Sequence, residues 1–160
     1  MLPIHIVGHA GCGKTTLIVD LVKALIKKEV RVGTMKHSAH IHELDKPGKD
    51  SFCHRIAGAA PVTMVTEQMS AVYLPRTAET SPGKLLETYY SGVDIVLIEG
   101  WISGPFQKIE VWRKSMKKSP LFPEIKNVKA IVSDDAIKKM DLPLFSRSKI
   151  DSLVNFIVTL

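Results

Sequence analysis

Short apolar runs alternate with amphipathic stretches along this chain, and the alternation predicts buried strands joined by helices. Leu2–Val7 is an apolar run rich in Ile and Val that stops at a glycine-rich segment, as a strand covered on both faces does. Beyond it Leu17, Ile18, Leu21, Val22 and Leu25 recur on one helical stripe, while Asp20, Lys23 and Lys27 fall off it. Residues 30–35 read as a second strand, which completes a strand–helix–strand crossover. Residues 37–49 carry Pro47-Gly48 and no period, so they read as a long exposed loop. Residues 50–60 suit a helix, and residues 62–67 with 69–74, bounded by Pro61 and Pro75, suit a hairpin.

The second half repeats the alternation. Residues 85–90 read as a helix, and residues 94–98 as a strand at a central position, ending at Glu99-Gly100-Trp101. Residues 108–113 alternate Ile109 and Val111 with Glu110 and Trp112, as a strand does. Residues 130–132 form another buried strand. A closing helix carries Ile150, Leu153, Val154 and Ile157, and Ser148 with Asp151 stands at capping-box spacing before it. The pattern is that of an α/β fold, with a mainly parallel sheet flanked by helices and a β-hairpin excursion.

Composition narrows the class. The 160 residues are 45% hydrophobic and 24% charged, which suits one domain spanning 1–160. No apolar stretch reaches the roughly 18 residues of a membrane span, and the first residues lack a signal-peptide pattern, so the expected location is cytoplasmic with no membrane partner. Cys12 and Cys53 make no disulfide framework and no Cys-x-x-Cys pair. A net charge of +6 favours anionic ligands such as nucleotides, without demanding nucleic acid.

The sharpest chemical signal is Gly8-His9-Ala10-Gly11-Cys12-Gly13-Lys14-Thr15. It satisfies G-x-x-x-x-G-K-[ST] and lies between the first strand and the first helix, where phosphate binding requires it. Glycines let successive amides curl around phosphate oxygens, and the helix that follows, with Thr16 continuing it, adds its positive end. Lys14 would reach the β and γ phosphates, and the Thr15 hydroxyl would hold Mg2+. His9 and Cys12 fill positions the motif leaves free. The fold is therefore expected to be P-loop NTPase-like, in three layers.

Glu99, at the carboxyl end of an apolar strand, is placed to hold Mg2+ or to orient a water, because open α/β sheets gather ligands at that edge. Lys14 and Glu99 are the catalytic candidates. His37, His40, His42 and His54 crowd the stretch holding Asp45 and Asp50, four of the six histidines in the chain. That stretch reads either as a transition-metal site or as a phosphate-sensing loop in which Asp45 or Asp50 completes the Mg2+ shell and Lys36, Lys46, Lys49 and Arg55 offset phosphate charge. Lys108, Arg113, Lys114, Lys117 and Lys118 form a basic stretch, read as solvated surface or as a face for an anionic partner. Asp134 follows a strand where a carboxylate can pair with guanine, although no Asn-Lys-x-Asp motif is present.

These residues resemble a known family, the molybdopterin-guanine dinucleotide biosynthesis adapter proteins called MobB. The resemblance is carried by residues 8–16, Lys36-His37, Asp45-Lys46-Pro47-Gly48-Lys49-Asp50-Ser51, His54-Arg55, Ala57-Gly58-Ala59, Glu99-Gly100-Trp101 and Lys108-Ile109-Glu110-Val111 with Arg113. It spans about residues 1–135. It implies a GTP-binding, weakly GTP-hydrolysing homodimer that assists the guanylyltransferase MobA in attaching GMP to molybdopterin, and leaves molybdopterin or the molybdoenzymes open as a further contact. The chain departs from the family pattern at Ser38-Ala39 and at Ile102. Two other readings of the same residues stay open at this stage: a small-molecule kinase with Arg76 or Arg113 over the phosphates, and a metal-delivery GTPase using the histidine loop.

Overall fold

The computed structural model describes residues 1–137 and 140–160. They group into two compact units, Met1–Ala39 with Tyr90–Leu160, and His40–Tyr89.

The first unit is a six-stranded sheet in the order β2-β5-β1-β6-β7-β8, built from β1 (Leu2–Val7), β2 (Val32–Lys36), β5 (Ile95–Glu99), β6 (Gln107–Val111), β7 (Val128–Val132) and β8 (Leu144–Phe145). Every adjacent pair is parallel. β5 is interior, as the apolar run predicts, and it separates β1 from β2, so the two strands of the first crossover are not neighbours. Two helices, α1 (Lys14–Ile26) and α4 (Ile150–Ile157), pack together over one sheet face. Leu17, Leu21 and Leu25 of α1 are fully buried there with Ile4, Ile6, Leu97, Ile109, Leu153 and Ile157. Each such side chain gains about 1.5–3 kcal/mol over an exposed position.

Strand alternation turns His5, Lys108 and Glu110 to the opposite face, and all three are buried. A parallel strand in mid-sheet is covered on both sides, so its charged groups must be satisfied from the covering loops. The Lys108 ammonium donates to the carbonyls of Gly104 (2.7 Å) and Phe106 (3.3 Å). The Glu110 carboxylate accepts from the amides of Leu121 (2.6 Å) and Phe122 (2.8 Å). Lys108 therefore leaves the solvated basic stretch, whereas Arg113, Lys114, Lys117 and Lys118 are exposed.

The second unit holds α2 (Asp50–Ile56), an antiparallel hairpin of β3 (Val62–Val65) and β4 (Ser70–Tyr73), and α3 (Pro82–Tyr89). The predicted loop at 37–49 contains no helix or strand apart from the first turn it leads into. α2 is shorter than predicted, since Gly58 adopts φ +103 just past its end and stops it.

The predicted capping box of α4 does not form. Lys149 occupies the N-cap and offers no side-chain bond, while the Ser148 hydroxyl pairs with that of Ser146 at 2.8 Å. A local hydroxyl partner has displaced the backbone amide as its target. Two elements carried no usable periodicity: β8, of two residues, and a 3-10 turn at Lys114–Met116.

Candidate functional site

The segment joining β1 to α1 turns on residues that only glycine suits. Gly13, the N-cap of α1, takes φ +100, and Gly8 takes φ +140 where a Cβ would overlap the Val111 carbonyl oxygen. No side chain caps α1 and its first turn has no acidic residue. The amides that open the helix therefore keep their donors for an incoming acceptor, backed by the helix dipole. The Lys14 ammonium folds back onto the same loop and donates to the carbonyls of His9 (2.8 Å) and Gly8 (3.0 Å). Cys12 is buried with its Sγ 3.9 Å from that ammonium, and burial pushes the thiol's pKa up. Ala10, Gly11, Thr15 and Thr16 are exposed along the rim.

Strand order brings distant residues to this loop. The Thr15 hydroxyl donates to Glu99 Oε2 at 3.0 Å, and the Lys36 ammonium forms a short ion pair with Glu99 Oε1. Lys36 and Glu99 are register partners at the ends of β2 and β5, and β5 lies beside β1. The chain thus assembles Thr15, Lys36 and Glu99, three of the residues singled out from sequence. Glu99 and the Thr15 hydroxyl are hard oxygen donors 3.0 Å apart, a donor set that fits Mg2+, which takes one or two protein oxygens and keeps several waters.

The stretch after β6 closes over the other side of the loop. A Cβ on Gly13 would stand 2.9 Å from an Arg113 guanidinium nitrogen and 3.3 Å from its central carbon. Met116 Cε lies 3.6 Å from the Cβ position of Gly11, and the His9 ring bonds the Ser119 carbonyl at 2.9 Å. In the sequence Arg113 belongs to the basic stretch, to the kinase alternative and to the family resemblance, none of which gives its seat on the loop. The signal available was position, because Arg113 follows the carboxyl end of β6 as Glu99 ends β5.

Asp134 is exposed past the end of β7, where its Oδ1 accepts from the Ser146 hydroxyl (2.6 Å) and the Arg147 amide (2.8 Å). Those donors hold its pKa below the usual carboxylate range, with Arg113 adding to the effect. In the second unit, Asp45 is buried, and its Oδ1 accepts from the Lys46 amide (2.8 Å) and the Ser51 hydroxyl (3.1 Å). The most distinctive sequence block thus braces its own turn into α2, with Lys49 exposed at that helix's N-cap. His40 and His42 meet edge to face at 6.3 Å between ring centres. Among the described residues no group of three or more His, Cys, Asp or Glu is placed to hold a metal ion.

A parallel sheet with a glycine-rich, lysine-bearing turn between its first strand and first helix defines a P-loop NTPase-like α/β protein. Solved structures agree on the fold: Bacillus subtilis MobB superposes with TM-score 0.78 at 22% identity, over 99% of this chain and 97% of that one. A second crystal structure, of molybdopterin-guanine biosynthesis protein B, gives TM-score 0.76 at 24% identity over 99% of both chains. Residues 3–134 match the family described as Molybdopterin guanine dinucleotide synthesis protein B, and the chain belongs to that family. Its relatives include the molybdopterin-guanine dinucleotide biosynthesis adapter proteins of Haemophilus influenzae and Escherichia coli. The first is 33% identical over 95% of this chain and 85% of its own length. The second is 31% identical over 93% and 87%.

Proposed function

We propose that this chain is a GTP-binding adapter in molybdopterin guanine dinucleotide synthesis, assisting the guanylyltransferase MobA and hydrolysing GTP only slowly. The observation that carries the nucleotide reading is the uncapped start of α1 beside Lys14, with Thr15 and Glu99 in contact behind it. The relatives' shared name carries the adapter reading.

Binding exchanges weak partners for strong ones. The Lys14 ammonium gives up two neutral carbonyls for anionic phosphate oxygens, and the helix-opening amides gain anionic acceptors. Mg2+, bound with the nucleotide, would supply charge neutralisation between phosphates, with Thr15 and Glu99 as its protein-side oxygens. Glu99 is already held by Thr15 and Lys36, which leaves it poorly placed to activate a water and accords with slow hydrolysis. Asp134, at the carboxyl end of β7, is proposed to read the guanine edge. Asp45 and Lys49 belong to the second unit, and their part in nucleotide binding rests on the sequence alone.

The hairpin supports a homodimer. Val65, Val72 and Met64 are exposed on a two-stranded ribbon, which by itself is a marginal structure with open edges. Two experiments test the proposal. Titration with GTP and ATP in Mg2+ should show tighter GTP binding by the natural chain, weakened at least about tenfold by Lys14→Ala, the scale of one lost charge-assisted bond. Equal binding by both proteins would overturn it. Co-precipitation with the guanylyltransferase should respond to GTP; no association in either condition would end the adapter reading.

A further inference from the structure

We propose that Arg113 is a phosphate-contacting residue of this site, a cation supplied in cis against the α1 N-terminus in addition to Lys14. The inference rests on the nucleotide reading above and deepens it.

Three positive features converge on one spot. The N-terminus of α1 carries its dipole's positive end at Gly13. Lys14 is the next residue. The Arg113 guanidinium reaches Gly13, with a terminal nitrogen and the central carbon 2.9 and 3.3 Å from where a Cβ would be. An anion placed among them is attracted by all three. Among the described residues Arg113 makes no ion pair; Asp134 feels its charge but spends Oδ1 on Ser146 and Arg147. Arg113 as a whole is an exposed residue.

The surroundings fix the residue in place. Val111 ends β6 against Gly8, and the Trp112 indole donates to the Lys118 carbonyl at 2.8 Å. The Lys114 amide donates to Asp135 at 2.8 Å. Arg113 therefore stands on a backbone anchored before and after it, in extended conformation at φ −140. Absence of a Cβ on Gly13 is what lets a planar, forked cation approach the loop, and that fork suits two phosphate oxygens at once.

The test uses inorganic tripolyphosphate with Mg2+, which carries the phosphates without base or sugar, competing against a fluorescent GTP analogue on the full chain. Arg113→Ala should weaken tripolyphosphate and GTP alike by about tenfold or more, the scale of a charge-assisted hydrogen bond. Arg113→Lys should recover part of the loss, since charge returns without the fork. Lys118→Ala, which removes an equal charge from the same exposed stretch, should bind as the natural chain does. Tripolyphosphate affinity unchanged in Arg113→Ala, or lowered equally in Lys118→Ala, overturns the role of Arg113 while leaving the cradle intact. Failure of the natural chain to bind either ligand would instead remove the nucleotide reading itself, and this inference with it. Equal thermal midpoints of the variants separate lost binding from lost fold.

Discussion

Glu99 holds two partners of different kinds, a hydroxyl from α1 and an ammonium from β2, and its charge is what joins them. Glu99→Gln keeps the shape and removes the charge. GTP affinity measured in Mg2+ should fall about tenfold, the scale of a perturbed metal environment, while affinity in chelator stays nearly constant. The same Mg2+ dependence in both proteins would show that Glu99 is structural. His5 makes a different prediction. It is fully buried in β1 between Trp101 and Phe106, and among the described residues neither ring nitrogen has a hydrogen-bond partner. Burial, with Lys108 and His37 nearby, lowers its pKa from 6.5 to about 4. The folded chain then binds fewer protons than the unfolded one, so stability is lost as pH falls below about 6.5, at up to about 1.4 kcal/mol per unit, until about 4. Glu110, raised by burial, opposes this in part of the range. Denaturant unfolding of the natural chain and His5→Leu at pH 7.5 and 4.5 isolates the difference. Parallel losses in the two proteins would assign the acid sensitivity elsewhere.

At the scale of elements, periodicity served where an apolar stripe met a core and failed where polar side chains had local choices. β1 runs Leu2–Val7 as the sequence pattern has it, and Leu17, Ile18, Leu21 and Leu25 are buried on α1 as their spacing requires. The start of α4 was misread because Ser148 found the Ser146 hydroxyl instead of an amide. Ser148→Ala should accordingly cost less than about 0.5 kcal/mol, where a working cap would cost about 1. A loss of 1 kcal/mol or more in urea unfolding would restore the cap. β6 is a strand as its alternation predicts, but the run of basic residues suggests a solvated Lys108 where the structure buries it. Burial of Glu110 and Lys108 depends on segments 100–106 and 119–122 arriving from outside the strand, which no window on the strand itself can see.

For the whole molecule, the proposed dimer sets the remaining prediction. Val65 and Val72 lie on one face of the hairpin, 71% and 47% exposed, so replacing both with Lys should leave the fold intact and separate the dimer. Sedimentation should show the natural chain as a dimer and the Val65→Lys, Val72→Lys variant at least about tenfold weaker in association, a cost small for a buried charge. An unchanged dimer would place the interface elsewhere. Among the described residues no helix is long and apolar enough to cross a membrane. What the sequence determined by itself was local: the glycine-rich turn, the lysine and threonine at its end, the apolar runs and the helix stripe. Each follows from backbone freedom or from a period of 2 or 3.6 within a few residues. Strand order was decided only in three dimensions. Insertion of β5 between β1 and β2 sets Glu99 against Thr15 and Lys36, and the neighbouring β6 delivers Arg113 to Gly13. Periodicity states which face of a strand is apolar, but pairing joins residues more than sixty positions apart, and only the packed sheet selects among the partners.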